Sequence, residues 1–235
     1  ARLFGPLAVA ACLVVSGVGA AGAAGEAEPP SMDESESMTD VEPEQPRPVG
    51  SVGDGWTLTW SDEFEGAAGS LPDPATWGYD LGDGSAIGLA GWGNNELEWY
   101  TDDPQNVSLD GDGHLIITVR EADGSLECYY GPCQYTSARL LTRDRFEFQH
   151  GYLEARLQVP AGFGLWPAIW LLGTNLDAVG WPQSGEIDVM EYVGRRPNEV
   201  FGTLHGPGYS GSSGISGGMD LGTPMADAFH TVALE

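Results

Sequence analysis

Ser184-Gly-Glu-Ile-Asp-Val-Met-Glu-Tyr-Val-Gly194 reads as a β-strand whose acids and aliphatics take alternate sides. Alternate residues of a strand share a face, so Glu186 and Asp188 point together while Ile187 and Val189 go to a core. Strict alternation would then bury Glu191, and an unpaired buried carboxylate is costly. One extra residue, a β-bulge at Val189–Met190, returns Glu191 to the acidic side. Three carboxylates would then crowd one concave surface, where like-charge repulsion raises the proton affinity of at least one. A general acid requires that shift. The same spacing also fits solvated residues on an exposed sheet face, and three acids also attract Ca2+.

The flanking sequence is β-patterned throughout. Trp56-Thr-Leu-Thr-Trp60 alternates strictly, and Tyr152-Leu-Glu-Ala-Arg-Leu-Gln158 puts Leu153, Ala155 and Leu157 on one side. His114 to Arg120 predicts a strand entered by the Asp110-Gly-Asp-Gly113 turn. Phe201 to His205 predicts another short strand, and Phe229 to Glu235 a strand in progress. Glycine separates these runs and no long helical pattern occurs. Many short strands with turn signals imply an all-β sandwich or barrel.

Before the first of the eight Trp the composition changes. Residues 1–25 have a short apolar run, Leu7 to Val18, followed by small residues through Ala21-Gly-Ala23. That is the pattern of a secretory signal with a small-residue cleavage site. Val9-Ala10-Ala11-Cys12 also fits a lipoprotein box, which would anchor the chain at the cell surface by lipid on Cys12. Residues 26–51 form an acidic, Pro-rich linker that cannot bury enough surface to offset its ordering entropy. The folded domain is expected over 52–235. A net charge of −26, with no Lys among the nine basic residues, disfavours nucleic acid and anionic membranes and tolerates a neutral partner. Cys128 and Cys133 flank Tyr-Tyr-Gly-Pro, a turn that brings two thiols together in an oxidising compartment.

Two aromatic stretches bear on the acids. Leu165-Trp-Pro-Ala-Ile-Trp170 places Trp166, Ala168 and Trp170 on one face, as core residues or as flat platforms for sugar rings, whose apolar C–H faces suit large aromatics. Gly91-Trp-Gly-Asn-Asn-Glu-Leu-Glu-Trp-Tyr100 sets Trp92 in a Gly-flanked loop where packing explains it poorly, and Asn94 and Asn95 beside it could hydrogen-bond hydroxyls.

With these motifs in this order, the chain resembles glycoside hydrolase family 16, and within it the bacterial laminarinases. The resemblance spans about Trp56 to Glu235 and includes TWSDEF (59–64), YTSARLLT (135–142), GYLEARLQVP (151–160) and GTLHGPG (202–208). The lichenase branch usually lacks the extra residue between the second and third acid. The resemblance implies a two-sheet antiparallel jelly-roll sandwich with a concave substrate cleft. It implies retaining endo-hydrolysis of β-1,3-glucan by a monomer, with no cofactor for catalysis. Glu186 would be the nucleophile, Glu191 the general acid/base and Asp188 the assisting carboxylate. Trp92, Asn94, Arg139, Trp166, Trp170 and His205 would line the cleft. Many members bind a structural Ca2+, and Glu63 and the Gly113 carbonyl match part of that site. The Cys128–Cys133 hairpin is an insertion relative to the family, and members run on past the equivalent of Glu235. Rival readings are a glucan-binding module without catalysis, which predicts loss of a catalytic Glu, and a hydrolase of mixed-linkage glucan or galactan on the same fold.

Overall fold

The computed structural model describes residues 56–235 and the backbone of residues 9–17. The expected linker, the start of the domain at residue 52, the rest of the export signal and the Cys12 side chain lie outside the described residues, whereas Val9–Gly17, expected to belong to the export signal and not to the domain, forms a strand of the main sheet.

Alternation and glycine turns produce short strands: β1 (Val9–Gly17), β2 (Gly78–Asp80), β3 (Glu98–Tyr100), β4 (Val107–Leu109), β5 (Leu115–Ile117) and β6 (Arg120–Glu121). The hairpin β7 (Glu127–Cys128) and β8 (Gly131–Pro132) follows, then β9 (Tyr135–Ser137), β10 (Arg139–Leu141) and β11 (Leu153–Leu157). The last five are β12 (Leu165–Gly173), β13 (Glu186–Tyr192), β14 (Glu199–His205), β15 (Ile215–Asp220) and β16 (His230–Leu234). A single helical turn, Leu176–Val179, is the α-helix among the described residues.

The main sheet has the order β15-β14-β13-β12-β1-β10-β2, antiparallel throughout. The pairs β11–β16 and β4–β5 form the opposing layer. Ile169, Met190 and Tyr192 from the main sheet meet Ala155, Leu157 and Val232 from β11 and β16. Further along, Leu140 and Ala138 meet Val107, Leu115 and Ile117 across the same gap. Met190 is 0% exposed, and full burial of such a side chain contributes about 1.5–3 kcal/mol. Burying these residues directs the other face of the main sheet, which carries the acids, outward.

The structure differs from the sequence patterning in three places. Trp56–Trp60 lies in no strand; it packs through its rings instead, Trp60 stacking on Phe146 at 4.6 Å and Trp56 lying 6.1 Å from Tyr152. His114–Arg120 is divided, because β5 pairs with β4 while β6 pairs with β9. The β3–β9 pair is parallel, which the long connection through residues 101–134 permits. The Asp110–Gly113 turn is formed, with Gly111 and Gly113 at φ 91° and 84°.

Candidate active site

β13 is out of simple register with both neighbours. Across β12, Trp170 faces Asp188 and Ile169 faces Met190, so Val189 has no counterpart. Across β14, Thr203 faces Asp188 and Phe201 faces Glu191, three steps on one strand against two on the other. This is the bulge that the cost of burying Glu191 demands. Met190 and Tyr192 enter the core, and Glu191 between them emerges on the side of Glu186 and Asp188.

Each acid is held by a neighbour. The Trp166 indole N–H donates to Glu191 Oε1 at 3.1 Å, and the Thr203 hydroxyl donates to Oε2 at 3.2 Å. The Trp181 indole N–H donates to Glu186 Oε2 at 2.6 Å. His205 Nε2 lies 3.2 Å from Asp188 Oδ2. His205 Nδ1 is buried without a hydrogen-bond partner among the described residues.

Burial, followed by the charges of Glu186 and Glu191, pushes Asp188 up to about 8. At neutral pH Asp188 therefore keeps its proton. Burial also raises Glu186, opposed by the Trp181 hydrogen bond and the charges of His205 and Arg139, and reinforced by Glu191. The strand thus gathers carboxylates in a partly desolvated cluster, an environment that tunes such groups for acid–base and nucleophilic chemistry.

Arg139 forms the wall beside them. Its guanidinium carbon lies 4.4 Å from the Trp92 ring centre and 4.9 Å from that of Trp170, and its Nε pairs with Asp80 at 3.0 Å. Trp92 corrects the sequence expectation, because packing accounts for it fully. It is 8% exposed, lies 6.0 Å from the Tyr100 ring, and donates its indole N–H to the Gly82 carbonyl at 3.2 Å. Consecutive left-handed residues, Gly91, Trp92 and Gly93, turn the ring inward. Trp170 is equally buried, whereas Trp166 is half-buried.

Asn94 is exposed and donates to Glu96 Oε1 at 3.1 Å rather than reaching the acids. Glu63 and Gly113 are brought together at the β4–β5 turn: the Glu63 carbonyl lies 3.4 Å from where a Cβ on Gly113 would stand. Among the described residues no group of three or more His, Cys, Asp or Glu could hold a metal. Cys128 and Cys133 are disulfide-bonded, closing the β7–β8 hairpin. Sequence reasoning missed Trp181 and Thr203. Trp181 had a readable signal, a Trp between Gly180 and Pro182 in a polar loop just before the acidic motif.

The family model for glycosyl hydrolases family 16 matches residues 92–235. A β-glucanase of Rhodothermus marinus is 42% identical over 183 residues, covering 77% of this chain and 59% of the relative. A glucan endo-1,3-β-glucosidase of Cryptopygus antarcticus is 40% identical over 184 residues, covering 77% and 63%. The chain thus spans about three fifths of the length of these two relatives. The laminarinase catalytic domain of Thermotoga maritima superposes with a TM-score of 0.70 at 43% identity, covering 77% of this chain and 70% of that one. The fold is the two-sheet jelly-roll sandwich of those enzymes, and the match over residues 92–235 places the chain in glycosyl hydrolases family 16.

Proposed function

We propose that this chain carries the catalytic strand of a retaining endo-β-1,3-glucanase. The observation that carries the reading is the bulged β13, which sets Glu186, Asp188 and Glu191 on one face with indole donors on both glutamates. The names of the relatives supply the substrate class. Retention uses carboxyls about 5–5.5 Å apart, a gap suited to near neighbours on one strand.

In the first step a Glu186 oxygen attacks the anomeric carbon. The bond to the glycosidic oxygen breaks, and that oxygen takes the proton of Glu191. In the second step Glu191, now a carboxylate, removes a proton from water. The water oxygen displaces Glu186 from the anomeric carbon, and both glutamates return to their starting states. Asp188, protonated and tied to His205, orients Glu186 without adding a second negative charge beside it. Arg139, Trp166, Trp170 and His205 shape the cleft around the sugars. Trp92 supports that wall from behind Arg139, and Asn94 sits at its rim. No cofactor takes part in these steps; a Ca2+ at Glu63 and Gly113 would be structural. The 52–235 domain is read as a monomer behind an acidic linker, with residues 1–25 as an export signal and lipid anchoring at Cys12 as the alternative; because Val9–Gly17 of that stretch pairs with β12 and β10, its removal would open the main sheet between them. The strongly negative surface suits a neutral polysaccharide.

Reducing-end release from laminarin, lichenan and agarose tests the reading. Laminarin should be cleaved fastest, internally, with the β-anomer appearing first. Preference for lichenan or agarose would reassign the substrate, and binding without cleavage would make the domain a glucan-binding module.

A further inference from the structure

The Trp92 turn is strained, and part of what holds it comes from the β7–β8 hairpin. Trp92 has φ 50° and ψ 24°, a left-handed backbone that a bulky side chain adopts at a cost and keeps only where its surroundings over-determine it. On one side the chain's own turn contributes Asn94 N–H to Gly91 O at 2.9 Å and Glu96 N–H to the same oxygen at 3.1 Å. On the other side stands the β7–β8 hairpin. The Tyr129 N–H donates to Asp83 Oδ2 at 2.7 Å, and Asp83, 4% exposed, also accepts from Ser85. The Tyr129 ring rests on Gly91, where an added Cβ would stand 3.0 Å from Tyr129 Cε1. The Tyr130 hydroxyl donates to the Leu97 carbonyl.

The hairpin's own ladder is short. Its strands are two residues each, and an isolated two-stranded ribbon is marginal in water. Cys128 and Cys133 close it covalently beside both tyrosines. From Trp92 the contacts continue to Arg139 and Trp170, and Trp170 faces Asp188 across the ladder.

We propose that the disulfide-closed hairpin is a brace, with Tyr129 and Tyr130 as positioning residues that fix the Trp92 turn and, through Arg139, the cleft wall. The brace acts on glucan positioning, not on the bond-breaking groups. Its kinetic consequence rests on the glucanase reading; its structural consequence does not.

Amide hydrogen exchange on the whole chain decides the structural part, comparing the bridged protein with Cys128→Ser/Cys133→Ser. Exchange over residues 82–97 should quicken by about tenfold or more while β13 and β14 are unchanged. Tyr130→Phe, which keeps the bridge, should quicken exchange over the same segment to a smaller degree. Laminarin KM should rise about three- to tenfold in the bridge-free variant while kcat on an aryl laminaribioside stays within about twofold. Unchanged exchange at 82–97 in both variants overturns the brace. Equal loosening of β13 and β14 also overturns it, because the bridge would then be a staple of the whole domain. If the bridged protein does not cleave laminarin, the glucanase reading fails and the exchange result alone decides the brace.

Discussion

β11 and β13 carry the same alternating signature, and the structure treats them differently. β11 pairs residue for residue with β16 from Leu153 to Leu157, and its apolar side faces the core as alternation dictates. β13 takes an extra residue at Val189, and only by that break does a third acid reach the solvent face. The regular strand serves packing. The irregular strand gathers the acids on one face, where they lose hydration and repel one another, as the elevation of Asp188 records.

The sharpest way to break this contrast is at Glu186. Glu186→Gln should lower laminarin turnover by roughly 10⁴-fold or more, because no covalent intermediate can form. Glu191→Gln should lose comparable activity on laminarin yet keep much of it on aryl glycosides, whose leaving groups need no proton. Equal losses of Glu191→Gln on both substrates would refute the division of roles.

Core positions separate the two strands next. Met190, fully buried beside the bulge, should cost about 2–5 kcal/mol of stability on truncation to Ala. Leu157 in β11 is only partly buried, so Leu157→Ala should cost less than about 2 kcal/mol. Urea unfolding measures both, and a larger loss at Leu157 would mean that β11 is the better-packed strand.

Asp188 sharpens the electrostatic side. Its ordinary value of 3.8 rises to about 8 in the fold. Between those values the folded chain holds a proton that the unfolded chain has released, so Asp188 subtracts stability progressively as pH rises through that window. Asp188→Asn should therefore melt higher than the parent near pH 8, with the gap closing towards pH 4. A gap that widens on acidification would contradict the assignment. The smallest expected effect is that of Trp181→Phe. Loss of the indole donor raises the proton affinity of Glu186 further, so the acidic limb of kcat/KM should move to higher pH.

Much of this was legible in residues 184–194, because the cost of burying Glu191 itself requires the bulge. The β11 strand and the Asp110–Gly113 turn were legible for the same local reasons. Trp56–Trp60 was not, because alternation shows which side chains share a face but not whether a partner strand lies alongside. Trp92 was misjudged because its burial depends on a left-handed backbone and on Arg139, far away in sequence. Trp181 escaped notice because its partner is a carboxylate rather than a core. Interactions set by periodicity were readable; those made by single side chains across loops were not.

The bulge brings Glu186 and Glu191 to one face, and the glucanase reading gives them different roles. Incubation with a 2-deoxy-2-fluoro laminaribiosyl fluoride, followed by peptide mapping, separates those roles. The expected result is one stoichiometric glycosyl adduct on Glu186, slowly released by water. An adduct on Glu191 or Asp188, or none while laminarin is cleaved with inversion, would contradict it.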